Sequence, residues 1–178
     1  SSPSNRVGWD VGGEGAGVVV ARAARRAGMV RLTTGLESGS QRMLDEMRKG
    51  TDLDTTRRFL ADAATAGLSV RVTMILGYPG ERPSDVEASA AFLEENADRI
   101  ERVALNRFAL VTGSRLHRSI EREPAAFADL GALRPNHRQA LLDHQFAPAR
   151  EPAYRRAVGR LLGAVHRINR RSIREAAS

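Results

Sequence analysis

The sequence contains no cysteine. Disulfides, thiolate catalysis and thiolate-ligated metals are therefore excluded on this chain. Lysine is nearly absent as well: Lys49 stands alone among 28 basic residues, and all the others are arginine. Together with the abundant alanine, this reads as coding bias rather than selection for phosphate contacts. No apolar run approaches the roughly 20 residues that a membrane span needs, and the polar N-terminus is no signal peptide. A cytoplasmic protein is expected. The histidines, His117, His137, His144 and His166, show no metal-ligand spacing, so no metal site is expected. The glycine-rich run GGEGAG fails the G-x-G-x-x-G spacing in every register and gives no dinucleotide loop.

What is present suits one soluble globular domain: 178 residues, 42% hydrophobic and 28% charged. The net charge of +7 is uneven, because residues 150–178 hold eight arginines against Glu151 and Glu175. Three regions follow. Residues 1–17 form an irregular lead-in, 18–123 alternate strand and helix, and 124–178 form a helical, arginine-rich extension punctuated by Pro124, Pro135, Pro148 and Pro152. In the last helix, expected over about 152–171, Tyr154, Val158, Leu161, Val165 and Ile168 recur at 4/3 spacing with arginine opposite. Such a stripe packs on its own domain. The sharper reading uses the arginine face to bind nucleic acid such as RNA, another acidic partner or a membrane surface.

In the middle region a helix ends at Gly28 and MVRLTTGL reads as a strand. Ser38 and Gln41 form a capping box for a helix over 39–48, and Thr51 and Asp54 open another over 53–66, closed by Gly67. LSVRVTMIL is the second strand, GYPGERP the turn after it, and Ser84 with Glu87 opens a helix to about 97. RVALNRFAL is the third strand, followed by a short helix from about Ser114. There is no hairpin signal, so the fold class is α/β with parallel strands.

The strand faces are unequal. Val30, Leu32, Thr34 and Leu36 oppose Arg31, Thr33, Gly35 and Glu37, while Val70, Val72, Met74 and Leu76 oppose Arg71, Thr73, Ile75 and Gly77. A doubly wound sheet should be apolar on both faces. The polar face therefore points to a curved, TIM-like half-barrel with a lumen for a polar ligand. Parallel α/β folds bind ligands at the C-terminal ends of the strands. Three segments meet there: Glu37-Ser38-Gly39-Ser40, the GYPGE turn, and Asn106-Arg107-Phe108. Glu37 can accept two hydrogen bonds from a vicinal diol such as a ribose.

GLESGSQRMLDEMRKGT, MILGYPGE and LNRFALVTGSRL closely resemble the fourth to sixth strands, with their exits, of the radical S-adenosylmethionine (radical SAM) barrel, in its cobalamin-binding and methylthiotransferase-like branches. The resemblance covers about residues 21–118. It implies that Glu37 binds the ribose of S-adenosylmethionine and that Ser38 shapes the same pocket. Lys49 would reach the methionyl carboxylate. Ile75 and Gly77 would lie against adenine, and backbone groups from Asn106 to Phe108 would bind its edge. Arg31 and Arg71 are candidates for holding an acidic substrate, or for balancing carboxylates, Glu37 included. No catalytic residue is assigned.

The family's cofactors are S-adenosylmethionine and a 4Fe-4S cluster, with cobalamin possible in a full-length parent; the outcome is radical-based group transfer such as methyl or methylthio transfer to a small-molecule or unknown substrate. The family's three cluster cysteines are missing here, as is room for three strands before Arg31. The expectation is a fragment, truncated reading or degenerate copy, incompetent alone, whose partner is the missing N-terminal half of the barrel. A non-catalytic binding module using the basic C-terminal helix is the alternative.

Overall fold

The computed structural model describes residues 16–136 and 138–172. Most of the lead-in, the GGEGAG run except its last two residues, and His137 lie outside these.

Strand–helix alternation builds a parallel sheet of β1 (Arg31–Glu37), β2 (Ser69–Leu76) and β3 (Arg102–Arg107), in that spatial order. Helix α1 (Ala16–Arg26) precedes β1. The first crossover holds α2 (Gln41–Glu46) and α3 (Leu53–Thr65); the second holds α4 (Pro83–Glu95) and a single 3-10 turn. Helix α3 begins where Asp52 accepts from Thr55 N–H at 2.7 Å. It ends in the expected way: Gly67, at φ +75°, donates to Ala64 O while Leu68 donates to Ala63 O.

The two sheet faces differ as the alternation predicts. Leu36, Val70, Val72, Met74 and Val103 are buried under Leu60, Ala63, Phe92 and Leu93 of the helices. On the other face Thr33, Gly35, Ala104 and Asn106 are exposed. That face is open.

The chain after β3 departs from expectation. The run 102–110 is not one strand. Leu110–Val111 (β4) leaves the parallel sheet and pairs antiparallel with β6 (Leu141–Asp143), which pairs with β5 (Arg134–Asn136). Strands of two or three residues are too short to display a period, so the extension read as purely helical. Helix α5 (Arg115–Arg122) lies beside this small sheet, over a second core of Leu110, Ile120, Leu130 and Leu142.

The last helix, α6 (Pro152–Asn169), lies against α4 in the main core. Its buried line is Tyr154, Ala157, Leu161, Ala164 and Ile168, with Val158 and Val165 only partly buried. Alanines thus stand at the centre of the line where valines were expected. Asn169 closes the outer edge of β3. It accepts from Val103 N–H at 2.8 Å and donates to Val103 O at 2.9 Å, as a neighbouring strand would.

The tightest approach lies between the β1–α2 loop and α4. A Cβ on Gly39 would stand 2.6 Å from Ser89 Cα and 2.8 Å from Phe92 Cβ. Helix backbone cannot yield to that. Gly39→Ala is expected to destabilise the protein by about 1–3 kcal/mol, measured as a lower urea midpoint at unchanged m-value. Gly80→Ala is the contrast: the same methyl meets nothing within 4 Å, and its cost is confined to the φ of +78°.

Candidate functional site at the strand ends

The site begins with the backbone of Glu37. The β1–β2 register slips between Gly35 and Glu37, so that Glu37 stands opposite Met74, and Glu37 takes φ +61°. This left-handed conformation costs a non-glycine residue on the order of 1–3 kcal/mol. The side chain then folds back over Gly35, where an added Cβ would meet Glu37 Oε1 at 2.8 Å and Thr73 Oγ1 at 3.7 Å. Glycine at 35 is what lets the carboxylate lie on the open sheet face. Its partner is Lys49 Nζ at 3.2 Å, not Arg31 or Arg71.

Ile75 lies half-buried on the open face of β2, in register with the exposed Asn106 on β3. Glu37, Ile75 and Asn106 thus cross three adjacent strand ends. At about 4.8 Å per strand, Glu37 and Asn106 lie roughly 10 Å apart, a nucleoside's length. Phe108 N–H is committed to Leu76 O at 2.8 Å, and its ring packs edge-on to Tyr78 and His144.

Ser38 is placed differently from expectation. It is buried, with its hydroxyl 3.2 Å from Ser89 Oγ and accepting from Ser40 N–H at 3.1 Å. It caps no helix: α2 starts only at Gln41, whose side chain reaches forward to Thr51 O and Leu53 N–H. Ser38 and Gly39 are small because the loop lies against α4.

Arg31 sits at the opposite end of β1, roughly 20 Å from Glu37 at about 3.3 Å per residue, and Arg71 stands opposite Thr33, toward the same end of the sheet. Glu101 collects both: Arg31 Nε at 3.0 Å and Arg71 Nε at 3.5 Å, with Ser69 Oγ donating at 3.2 Å. Burial pushes the Glu101 carboxyl up, but hydrogen bonding and charge from Arg31 and its neighbours outweigh it and hold the group below its ordinary value. These arginines balance a carboxylate here.

Two buried carboxylates escaped the sequence reading. Asp85 accepts from Arg42 through both oxygens, from Ser40 Oγ at 2.6 Å and from Arg82 N–H at 2.8 Å. It joins the starts of α2 and α4, and this replaces the expected Ser84–Glu87 box. Arg42 also donates to Gly80 O at 2.8 Å, tying in the turn. Glu81 closes the GYPGE turn: its Oε2 accepts from Gly77 N–H at 2.8 Å and from Tyr154 of α6. Gly77 itself holds φ +83°. Burial raises the Glu81 carboxyl, and burial followed by the Glu81 charge raises the Tyr154 hydroxyl.

Among the described residues no group of three or more histidine, aspartate or glutamate side chains could hold a metal ion. With no cysteine in the chain, no ligand set for an iron–sulfur cluster exists on it.

Comparison with known proteins gives three findings. Residues 9–93 match the family profile described as the Radical SAM superfamily. The chain is 39% identical over 62 residues to the ribosomal protein uS12 methylthiotransferase RimO of Flavobacterium psychrophilum, covering 34% of this chain and 14% of that protein. It is 36% identical over 81 residues to the corresponding protein of Roseiflexus sp., covering 44% and 17%. The matched stretch is thus a small share of these relatives. In structure the chain resembles coproporphyrinogen III oxidase (HemN) of Escherichia coli, described as a radical SAM enzyme, with a TM-score of 0.52 and 17% identity over 83% of this chain and 30% of that one. That likeness shows the fold.

Glu81 makes a pH-dependent prediction. A carboxyl with a raised native pKa stabilises the fold fully below its ordinary pKa of about 4.3 and loses that contribution as pH rises through the native value. An amide oxygen can accept from both Gly77 and Tyr154. Glu81→Gln should therefore gain stability relative to wild type as pH rises above about 4.3, whereas Glu81→Ala should start from a deficit of about 1–3 kcal/mol near pH 4 for want of an acceptor, a deficit that narrows as pH rises. Urea denaturation across pH 4 to 8 reads both. A Glu81→Gln difference that stays flat with pH contradicts the assignment.

Proposed function

This chain belongs to the radical SAM superfamily, and on that premise we propose that the open face from Glu37 to Asn106 is one wall of an S-adenosylmethionine site. Glu37 accepts from the ribose diol. Ile75 and Gly77 line the adenine, and backbone oxygens around Asn106 to Phe108 meet its edge. Lys49, already on Glu37 and nearly half exposed, exchanges that surface pair for the methionyl carboxylate; exposed pairs are worth little, so the exchange is cheap. Ser38 contributes by packing the loop and touches no ligand.

The residues fit the nucleoside and not the cluster. The chain supplies a strained carboxylate, a glycine cradle and a lysine for the former, and no cysteine for the latter. Its role is the binding half of radical-based group transfer, such as methyl or methylthio transfer, the latter being the activity in the relatives' names. Cluster and radical steps need ligands from beyond these residues. The strands that carry them dock along β1, whose outer edge pairs with no strand of the described sheet. Relatives named for modifying a ribosomal protein support a cytoplasmic setting; no described helix is long and apolar enough to cross a membrane.

The observation that carries this reading is Glu37 held at φ +61° over Gly35. Strain kept at an exposed strand end needs a use, and a lone surface pair with Lys49 is too weak to supply it. Titration calorimetry with S-adenosylhomocysteine is expected to show binding that Glu37→Gln weakens at least about tenfold, through loss of charge-assisted hydrogen bonds, while Ser38→Ala leaves it unchanged. Equal affinity in wild type and Glu37→Gln would remove the ribose role.

A further inference from the structure

The charge of +7 raises the question of where unneutralised arginine is displayed. Helix α6 displays less than its sequence suggests. Arg160 pairs with Glu87 at 2.7 Å and Glu94 at 2.6 Å, Arg167 with Glu94 at 2.8 Å, and Arg171 with Asp98 at 3.4 Å. Helix α4 and the turn after it thus neutralise much of that face.

A second basic set has no such partners. Arg48, Arg115, Arg118 and Arg122 line a groove of about 600 Å³, shared with Glu121. Among the described residues none of these four makes an ion pair with a carboxylate. Arg118 donates to Gly113 O at 2.8 Å and Arg122 to Ser119 Oγ at 3.3 Å, both neutral, and the ion-pair partner of Glu121 is His117 at 3.7 Å. The α5 arginines fall at i, i+3 and i+7, one face of a helix, spread over about 10 Å at 1.5 Å per residue. Arg48, held at φ +52° beyond the end of α2, lines the same groove. It directly precedes Lys49, so the groove starts one residue from the open face.

We propose that this groove binds the phosphodiester backbone of a single nucleic-acid strand. Four guanidinium groups facing one space repel one another until an anion enters, and a guanidinium matches phosphate oxygens bidentately. A phosphodiester carries a charge on every unit, so any register fills the row; a peptide would need an acidic run in phase with it. No aromatic ring lines the groove, so the contacts read backbone, not bases. The site is separate from the nucleoside reading, and Glu37→Gln leaves it intact.

The test is fluorescence anisotropy of the 178-residue chain with a labelled oligouridylate of about 12 nucleotides. Three or four phosphate contacts give a slope of log K against log salt of about −2 to −3 between 50 and 200 mM. R115Q/R118Q/R122Q should weaken binding at least about tenfold at 50 mM and flatten the slope by about 2. R155Q/R156Q on α6 should change affinity less than about twofold, and so should Glu37→Gln. Wild-type affinity in the triple variant, or loss in the α6 variant instead, overturns the proposal. Displacement of the oligouridylate by polyglutamate at equal charge concentration overturns it in favour of an acidic peptide. If the triple variant loses its far-UV helix signal, phenylglyoxal modification of wild type decides: protection of Arg115, Arg118 and Arg122 by the oligonucleotide supports the site, and its absence overturns it.

Discussion

The site depends on the contact between the β1–α2 loop and helix α4. Gly39 lets the two backbones meet at a distance no side chain permits. The contact is then locked by polar groups: Gly39 N–H donates to Ser89 Oγ at 2.9 Å, and Asp85 gathers Ser40, Arg42 and Arg82. Burial raises the Asp85 carboxyl, yet the hydrogen bonds from Arg42 and Ser40 outweigh that and keep it below its ordinary value. It is therefore ionised at neutral pH, and a buried, fully hydrogen-bonded carboxylate of this kind resists rearrangement. The loop fixed on one side and the strand on the other hold Glu37 in the left-handed conformation.

A similar device fixes the second segment of the mouth. The GYPGE turn is held from inside by Glu81 and from outside by Arg42 on Gly80 O and by Asp129, which accepts from Gly80 N–H at 2.7 Å. Because Tyr154 also reaches Glu81, helix α6 is coupled to the mouth. The last helix is thus part of the barrel's support: its apolar line fills the main core, Asn169 closes the β3 edge, and its arginines bind α4. The groove proposed for binding lies elsewhere, on α5 and Arg48.

Much of this was legible in the sequence where the signal is local and periodic. The alternating faces of β1 and β2, the Gly67 stop of α3 and the turn after Leu76 follow from two- and four-residue patterns. Glu37 stood out because a carboxylate followed by small residues ends a strand. The reason for those small residues was legible only in part, since the helix that demands them arrives 50 residues later. The same distance hid Asp85 and Glu81, whose partners lie up to 73 residues away. Arg31 and Arg71 looked available for a ligand until β3 brought Glu101 beside them. The antiparallel sheet was invisible for a different reason: two- and three-residue strands carry no period.

The central claim, that Glu37 is strained to receive a ribose, is tested most directly by the crystal structure of the chain with S-adenosylhomocysteine. The account predicts both ribose hydroxyls within hydrogen-bonding distance of the Glu37 carboxylate, φ of Glu37 still positive, and Lys49 moved toward the ligand's carboxylate. A ligand bound away from the open face, or one bound there with the Glu37–Lys49 pair intact and the ribose hydroxyls on other groups, would contradict it.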